Sequence, residues 1–178
     1  MTTAEYLQTP ETVLPRELAY GVMHVADAPS VPHQRVVLEL ALQLAPFVRA
    51  SQLGELMVAP TDVILDFDAG LVVQPDLLVV SESRRHIVSD KVRGAPDLVI
   101  EVLSPFARVG RLDERLRWYA RYGVRECWLV AVPEQEVAVL TPAAGDTWHR
   151  AAFRDANPIR SDVVPGLALT PLQLFGYR

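Results

Sequence analysis

The segment Leu98-Val99-Ile100-Glu101-Val102-Leu103 is apolar except for one acid. Strands covered on both faces read as near-continuous aliphatic runs, so this segment predicts the centre of a sheet with other elements packed above and below it. Glu101 is the anomaly within it. A carboxylate on a buried strand is costly unless it is paired or ligates a metal; the alternative is a strand with one wet face, which leaves Glu101 solvated. A second acid, Asp76, follows Pro75 at the head of Leu77-Leu78-Val79-Val80. Alone it reads as a turn residue. Together with Glu101 it gains another meaning, because adjacent strands can bring both carboxylates to one point. Two acids with open coordination suit a hard cation such as Mg²⁺, which lowers the pKa of a bound water and stabilises charge on a phosphate under attack.

The rest of the chain supplies the elements around that strand. Residues 1–16 read as a helical turn and a proline-bounded loop, an N-terminal arm to a core over 17–178; at 178 residues the whole chain is expected to form a single domain. Glu17–Ala26 predicts a β-hairpin around Gly21. From Pro32 the apolar residues Val36, Val37, Leu40, Ala41, Leu44, Phe47 and Val48 recur at helical spacing. Gly54–Val58, Thr61–Leu65 and Leu71–Val80 read as strands, Asp66–Gly70 as a turn, and 81–94 as an exposed polar loop. A helix over Leu112–Tyr122 should stop at Gly123, where a left-handed cap belongs. Cys127–Val132 and Val137–Thr141 predict a strand pair across Pro133–Glu136, Trp148–Phe153 a further strand, and Pro171–Phe175 one helical turn. This order excludes the regular alternation of a doubly wound sheet and predicts an α/β protein of the α+β type, with a mixed sheet and few helices.

Charge and composition narrow the function. The net charge of −5 argues against a constitutive, tight DNA binder, whose affinity comes from neutralising phosphates; contact with DNA must come from a local patch. Cys127 is the only cysteine, which rules out an intrachain disulfide and a multi-cysteine zinc site, and its apolar surroundings predict a packed thiol. No window approaches the roughly 18 apolar residues of a spanning helix, and the N-terminus lacks a signal-peptide pattern, so the protein is expected in the cytoplasm and away from membranes. His24, His86 and His149 show no ligand spacing, and Trp118, Trp128 and Trp148 are read as core.

Arg108, Arg111, Arg115, Arg117 and Arg121 lie on or before the helix that follows Glu101. They read either as a solvated face partnered by Asp113 and Glu114, or as a cationic patch whose guanidinium forks fit phosphate oxygens; on the second reading Arg108, Arg111 and Arg117 contact nucleic acid. At this point Pro96-Asp97-Leu98-Val99-Ile100-Glu101-Val102-Leu103-Ser104-Pro105, followed by Tyr119-Ala120-Arg121-Tyr122-Gly123-Val124-Arg125-Glu126-Cys127-Trp128-Leu129-Val130, resembles the signature of the Uma-type restriction endonuclease family. The likeness extends to the opening residues Met1–Leu7, to Glu17-Leu18, to His33-Gln34, to Gln74-Pro75-Asp76 and to the ending Ser161–Leu167 with Leu174-Phe175.

That resemblance implies a restriction-endonuclease-like PD-(D/E)XK core with flanking helices and an N-terminal hairpin, acting on DNA with Mg²⁺ or Mn²⁺. It implies that Asp76 and Glu101 hold the metal and that Glu17 and His33 complete the mouth of the site. Where the family has a lysine four residues before the tyrosine, this chain has Arg115. Arg111 replaces an aspartate, Val130-Ala131-Val132-Pro133 stands where Val-Asp-Pro is usual, and Gly21-Val22 replaces Gly-Glu. An arginine stays protonated, so Arg115 can stabilise charge on a scissile phosphate but cannot serve as a base. Two expectations follow: a metal-dependent endonuclease with weakened activity, or a degenerate nuclease fold that binds nucleic acid or associates with itself. Apolar strands such as Leu77–Val80 and Cys127–Val132 make a homodimer compatible with either.

Overall fold

A computed structural model describes residues 1–10, 14–103 and 112–176. Its helices are α1 (Thr3–Leu7), α2 (Val31–Ala50), α3 (Leu112–Tyr122) and α4 (Pro171–Phe175), with a 3-10 turn at Glu82–Ile87. The strands are β1 (Arg16–Ala19), β2 (Val22–Val25), β3 (Gly54–Val58), β4 (Val63–Asp66), β5 (Leu71–Val73), β6 (Leu77–Ser81), β7 (Val92–Arg93), β8 (Leu98–Leu103), β9 (Glu126–Ala131), β10 (Glu136–Pro142) and β11 (Trp148–Phe153). They form two sheets, ordered β2-β1-β5-β4-β7 and β11-β10-β9-β8-β6-β3. Both are mixed, since β4 runs parallel to β7 and β8 parallel to β9 while the other pairs are antiparallel. The mixed α/β architecture with few helices is as expected, although the strands divide between two sheets instead of one.

The run that opened the sequence reading is β8, and it lies inside the six-stranded sheet. Alternate residues feed different layers, as the two-residue period of a strand requires. Ile100 and Val102, with Leu77 and Val79 from β6, pack against Val36, Leu40, Leu44 and Val48 of α2 and Leu174 of α4. Val99, with Leu78 and Val80, faces the other way, against Val63, Leu71 and Val73 of the five-stranded sheet and Tyr119 of α3. A third layer, Tyr6, Leu18, Ile64 and Val72, covers the outer side of the five-stranded sheet. The strand is therefore covered on both faces, and Glu101 has no wet face to occupy.

Local signals account for most boundaries. Thr2 and Glu5 form a capping box at α1, and Ser30 caps α2, which begins at Val31 with Pro32 in its first turn. The β1–β2 hairpin turns through Tyr20 and Gly21, both at positive φ, as a two-residue hairpin loop requires. Gly123, at φ +90°, ends α3. Gly54 has a steric reason: at φ +143° a Cβ would lie 2.0 Å from the Val80 carbonyl oxygen, so the antiparallel approach of β3 to the end of β6 depends on its absence.

Two expectations are revised. Leu71–Val80 is two strands in different sheets, because Pro75 has no N–H for a ladder and the chain changes sheet at Gln74-Pro75-Asp76. Residues 81–94 are not merely a loop: the 3-10 turn and β7 bury Ile87 and Val92. The N-terminal arm is docked, with Tyr6 fully buried and its hydroxyl bonded to Asp62 and the Arg16 carbonyl. Among the described residues no helix is long and apolar enough to cross a membrane.

Candidate active site

The break between β5 and β6 places Asp76. β6 pairs with β8 in the register Leu77↔Ile100, Leu78↔Val99 and Val79↔Leu98. Asp76 immediately precedes Leu77 and Glu101 immediately follows Ile100, so the two acids stand at the same end of this pair of strands. By the two-residue period of a strand, Glu101 shares the face of β8 that Val99 presents to α3, while Asp76 is reached from α2 through His33. Both are buried, Asp76 at 2% and Glu101 at 5% exposure.

Each carboxylate is held by neighbours. Asp76 Oδ2 accepts from the Val102 backbone N–H at 2.8 Å and lies 3.2 Å from His33 Nε2. His33 comes from the first turn of α2 and is itself buried. Glu101 Oε1 accepts from Arg115 Nη2 at 2.6 Å and Nε at 3.2 Å, and from the Tyr119 hydroxyl at 2.5 Å. Arg115 reaches in the other direction as well, its Nη1 donating to Glu17 Oε2 at 2.6 Å. Glu17, on β1, also accepts from the Gln74 backbone N–H at 2.6 Å, two residues before Asp76. Five expected site residues thus form two bonded groups, His33 with Asp76 and Arg115 with Glu17 and Glu101.

Arg115 is not part of an outward patch. It is 3% exposed and its fork is turned inward onto two acids. Arg117, two residues on and so on another side of the helix, is exposed and pairs with Asp113 at 3.4 Å, away from the cluster. Arg108 and Arg111 lie outside the described residues. Tyr119 is the member that residue chemistry alone did not single out. Its signal was spacing, since positions four apart on a helix share a face and Arg115 precedes it by that interval.

Electrostatics follows from burying two carboxylates around one guanidinium. Burial pushes the Arg115 pKa down, but Glu101, Tyr119 and Glu17 overcome it, and the guanidinium stays firmly protonated. Burial and the neighbouring carboxylates push the Tyr119 phenol well above its ordinary value, against the pull of Arg115, so it acts as a donor to Glu101. Glu17 is raised above 4.5, chiefly by burial and with help from Glu101, against Arg115 and the Gln74 N–H. Burial also pushes the Cys127 thiol well up, which makes it packing and not a nucleophile.

The Glu17 shift has a measurable sign. Its native carboxyl binds a proton more tightly than the unfolded one, so its contribution to stability is fully present below the ordinary pKa of 4.5 and is lost as pH rises through the raised native value. Glu17→Gln removes that slope. Urea titrations at several pH values should therefore show the unfolding free energy of the variant rising relative to wild type across that window; a gap independent of pH would contradict it.

Two carboxylates are the donor chemistry that a hard divalent ion prefers. Asp76 and Glu101 offer carboxylate oxygens from the same end of two neighbouring strands, and the bonds described above to Glu101 all fall on Oε1. Among the described residues no group of three or more His, Cys, Asp or Glu side chains is arranged around a metal position. An ion here would take two carboxylates and fill its shell with water and substrate oxygens, as Mg²⁺ commonly does.

The structure of a protein described as a "putative nuclease belonging to DUF820" from Anabaena variabilis ATCC 29413 superposes with a TM-score of 0.82 at 21% identity, covering 99% of this chain and 98% of the other. At that identity the match establishes the fold, and the two mixed sheets with few helices are of the restriction-endonuclease-like class. The family model described as "Uma2: Putative restriction endonuclease" matches residues 3–172, nearly the whole chain, and the protein belongs to that family. No functionally curated protein matches the chain.

Proposed function

We propose that the protein hydrolyses phosphodiester bonds of DNA with Mg²⁺ or Mn²⁺ bound at Asp76 and Glu101. The observation that supports this reading is the pair of buried acids, Asp76 and Glu101, at the same end of two neighbouring strands of a nuclease fold. Bound there, the ion supplies an acidified water and neutralises charge developing on the phosphate. The chain's own residues prepare the position. His33 and the Val102 N–H hold Asp76 from two sides, while the Arg115 fork and Tyr119 fix Glu101 through one oxygen. Arg115 keeps its proton, so it does not take one from the attacking water. No phosphate contact is assigned to Arg117.

A second reading, a degenerate nuclease fold that binds nucleic acid or pairs with itself, draws support from two features. The Arg115 guanidinium is committed to Glu17 and Glu101. The edge strand β2 exposes Val22, Met23 and Val25, the apolar edge through which sheets join.

Metal titration followed by thermal unfolding separates the readings. A ligand that binds only the folded state at a hundredfold excess over its Kd adds about 2.7 kcal/mol, or about 5–10 °C for a chain of this size. Wild type should show such a rise with Mg²⁺ or Mn²⁺, and Asp76→Asn should lose it. No rise with either metal would sink the metal-dependent reading.

A further inference from the structure

We infer that Arg115 is a counter-cation built into the site, which competes with a divalent ion for Glu101 and sets how tightly that ion is held. The inference rests on the metal reading above and concerns what opposes the metal.

Two buried acids from different sheets converge on one guanidinium: Glu17 from β1 of the five-stranded sheet and Glu101 from β8 of the six-stranded sheet. Their charges are answered from within the chain. The Arg115 fork and the Tyr119 hydroxyl place three donors on Glu101 Oε1. Those bonds occupy Oε1, and a metal drawn to the other oxygen of Glu101 still meets the repulsion of a guanidinium in contact with the same carboxylate. Arg115 cannot relieve that repulsion by losing its proton. Nor does it swing into solvent without exchange of partners, since its side chain is buried and is tied to both acids, with its charge 5.7 Å from the Tyr119 ring centre.

A lysine at this position would carry the same charge as a compact point, without the planar fork that grips Glu17 and Glu101 together. Arg115→Lys should therefore release part of Glu101 while retaining a cation beside the acids. Removing the charge altogether with Arg115→Met should release more, and bound metal should then replace the missing counter-charge.

Mn²⁺ titration by calorimetry, with thermal unfolding of the same samples, tests this without reference to activity. Arg115→Lys is expected to bind Mn²⁺ about tenfold or more tightly than wild type, the scale of one charge-assisted bond. Glu101→Gln in the Arg115→Lys background should return the affinity to the wild-type level or below. Arg115→Met should gain a larger rise in unfolding midpoint from Mn²⁺ than wild type does. Equal Mn²⁺ affinity in wild type and Arg115→Lys would overturn the inference, and DNA cleavage sensitive to Asp76→Asn would in that case leave the hydrolytic reading standing. Tight binding by Arg115→Lys with no cleavage by any variant would support the inference and remove the hydrolytic reading. No binding by either protein would overturn both.

Discussion

Arg115→Met in the absence of metal is expected to lower the unfolding free energy by about 3–5 kcal/mol, the cost of removing one partner from a buried ionic group. The loss comes less from forfeited attraction than from what is left behind. Glu17 and Glu101 would be two buried carboxylates in one pocket without a counter-charge, at 5% exposure each. Urea denaturation at neutral pH measures the change. The double variant Arg115→Met with Glu17→Gln should recover part of it, because one uncompensated charge is then gone. A loss below about 1 kcal/mol, the range of an exposed pair, would mean that the cluster is better hydrated than its burial implies.

The second large effect belongs to the proposed reaction. Glu101→Gln keeps an oxygen that can accept from Arg115 and Tyr119 but removes the charge a divalent ion requires. On the metal-dependent reading, Mn²⁺-supported nicking of supercoiled DNA should fall about a hundredfold or more, since a bound ion is worth several kcal/mol in the transition state. The unfolding midpoint without metal should move little. Cleavage that survives Glu101→Gln and Asp76→Asn alike would show that the acids are not its source.

The elements that the sequence announced most clearly are those with unbroken patterns. Leu98–Leu103, Leu112–Tyr122 and Trp148–Phe153 have the bounds their residues predicted, and Gly123 stops its helix as a left-handed cap does. The revisions arose where two patterns met or where none was strong. Leu71–Val80 reads as one strand from the aliphatic residues at its two ends, and only the polar, proline-bearing step Gln74-Pro75-Asp76 between them marks the change of sheet. Ile87 and Val92 are single apolar residues among charges, too sparse for any period to reveal their burial. The site divides in the same way. Asp76 and Glu101 stood out because acids on apolar strands are anomalous. The orientation of Arg115 was not legible, since a run of arginines around one helix is compatible with a solvated face, a phosphate patch or a buried fork. Only the placement of Glu17, from a hairpin distant in sequence, decides among them.

The connection Gln74-Pro75-Asp76 is the shortest link between the two sheets, and Glu17 from one sheet is tied to Glu101 of the other through Arg115. The cluster therefore works as a gauge of how the sheets are stacked. A substitution in the apolar layer between them, at Leu71, Val73, Leu78 or Val80, acts on the acids without touching them, because any slip between the sheets changes the span that one guanidinium has to bridge. Variation in that layer is thus a means of tuning the site from a distance, with the arginine fork as the part that registers the displacement.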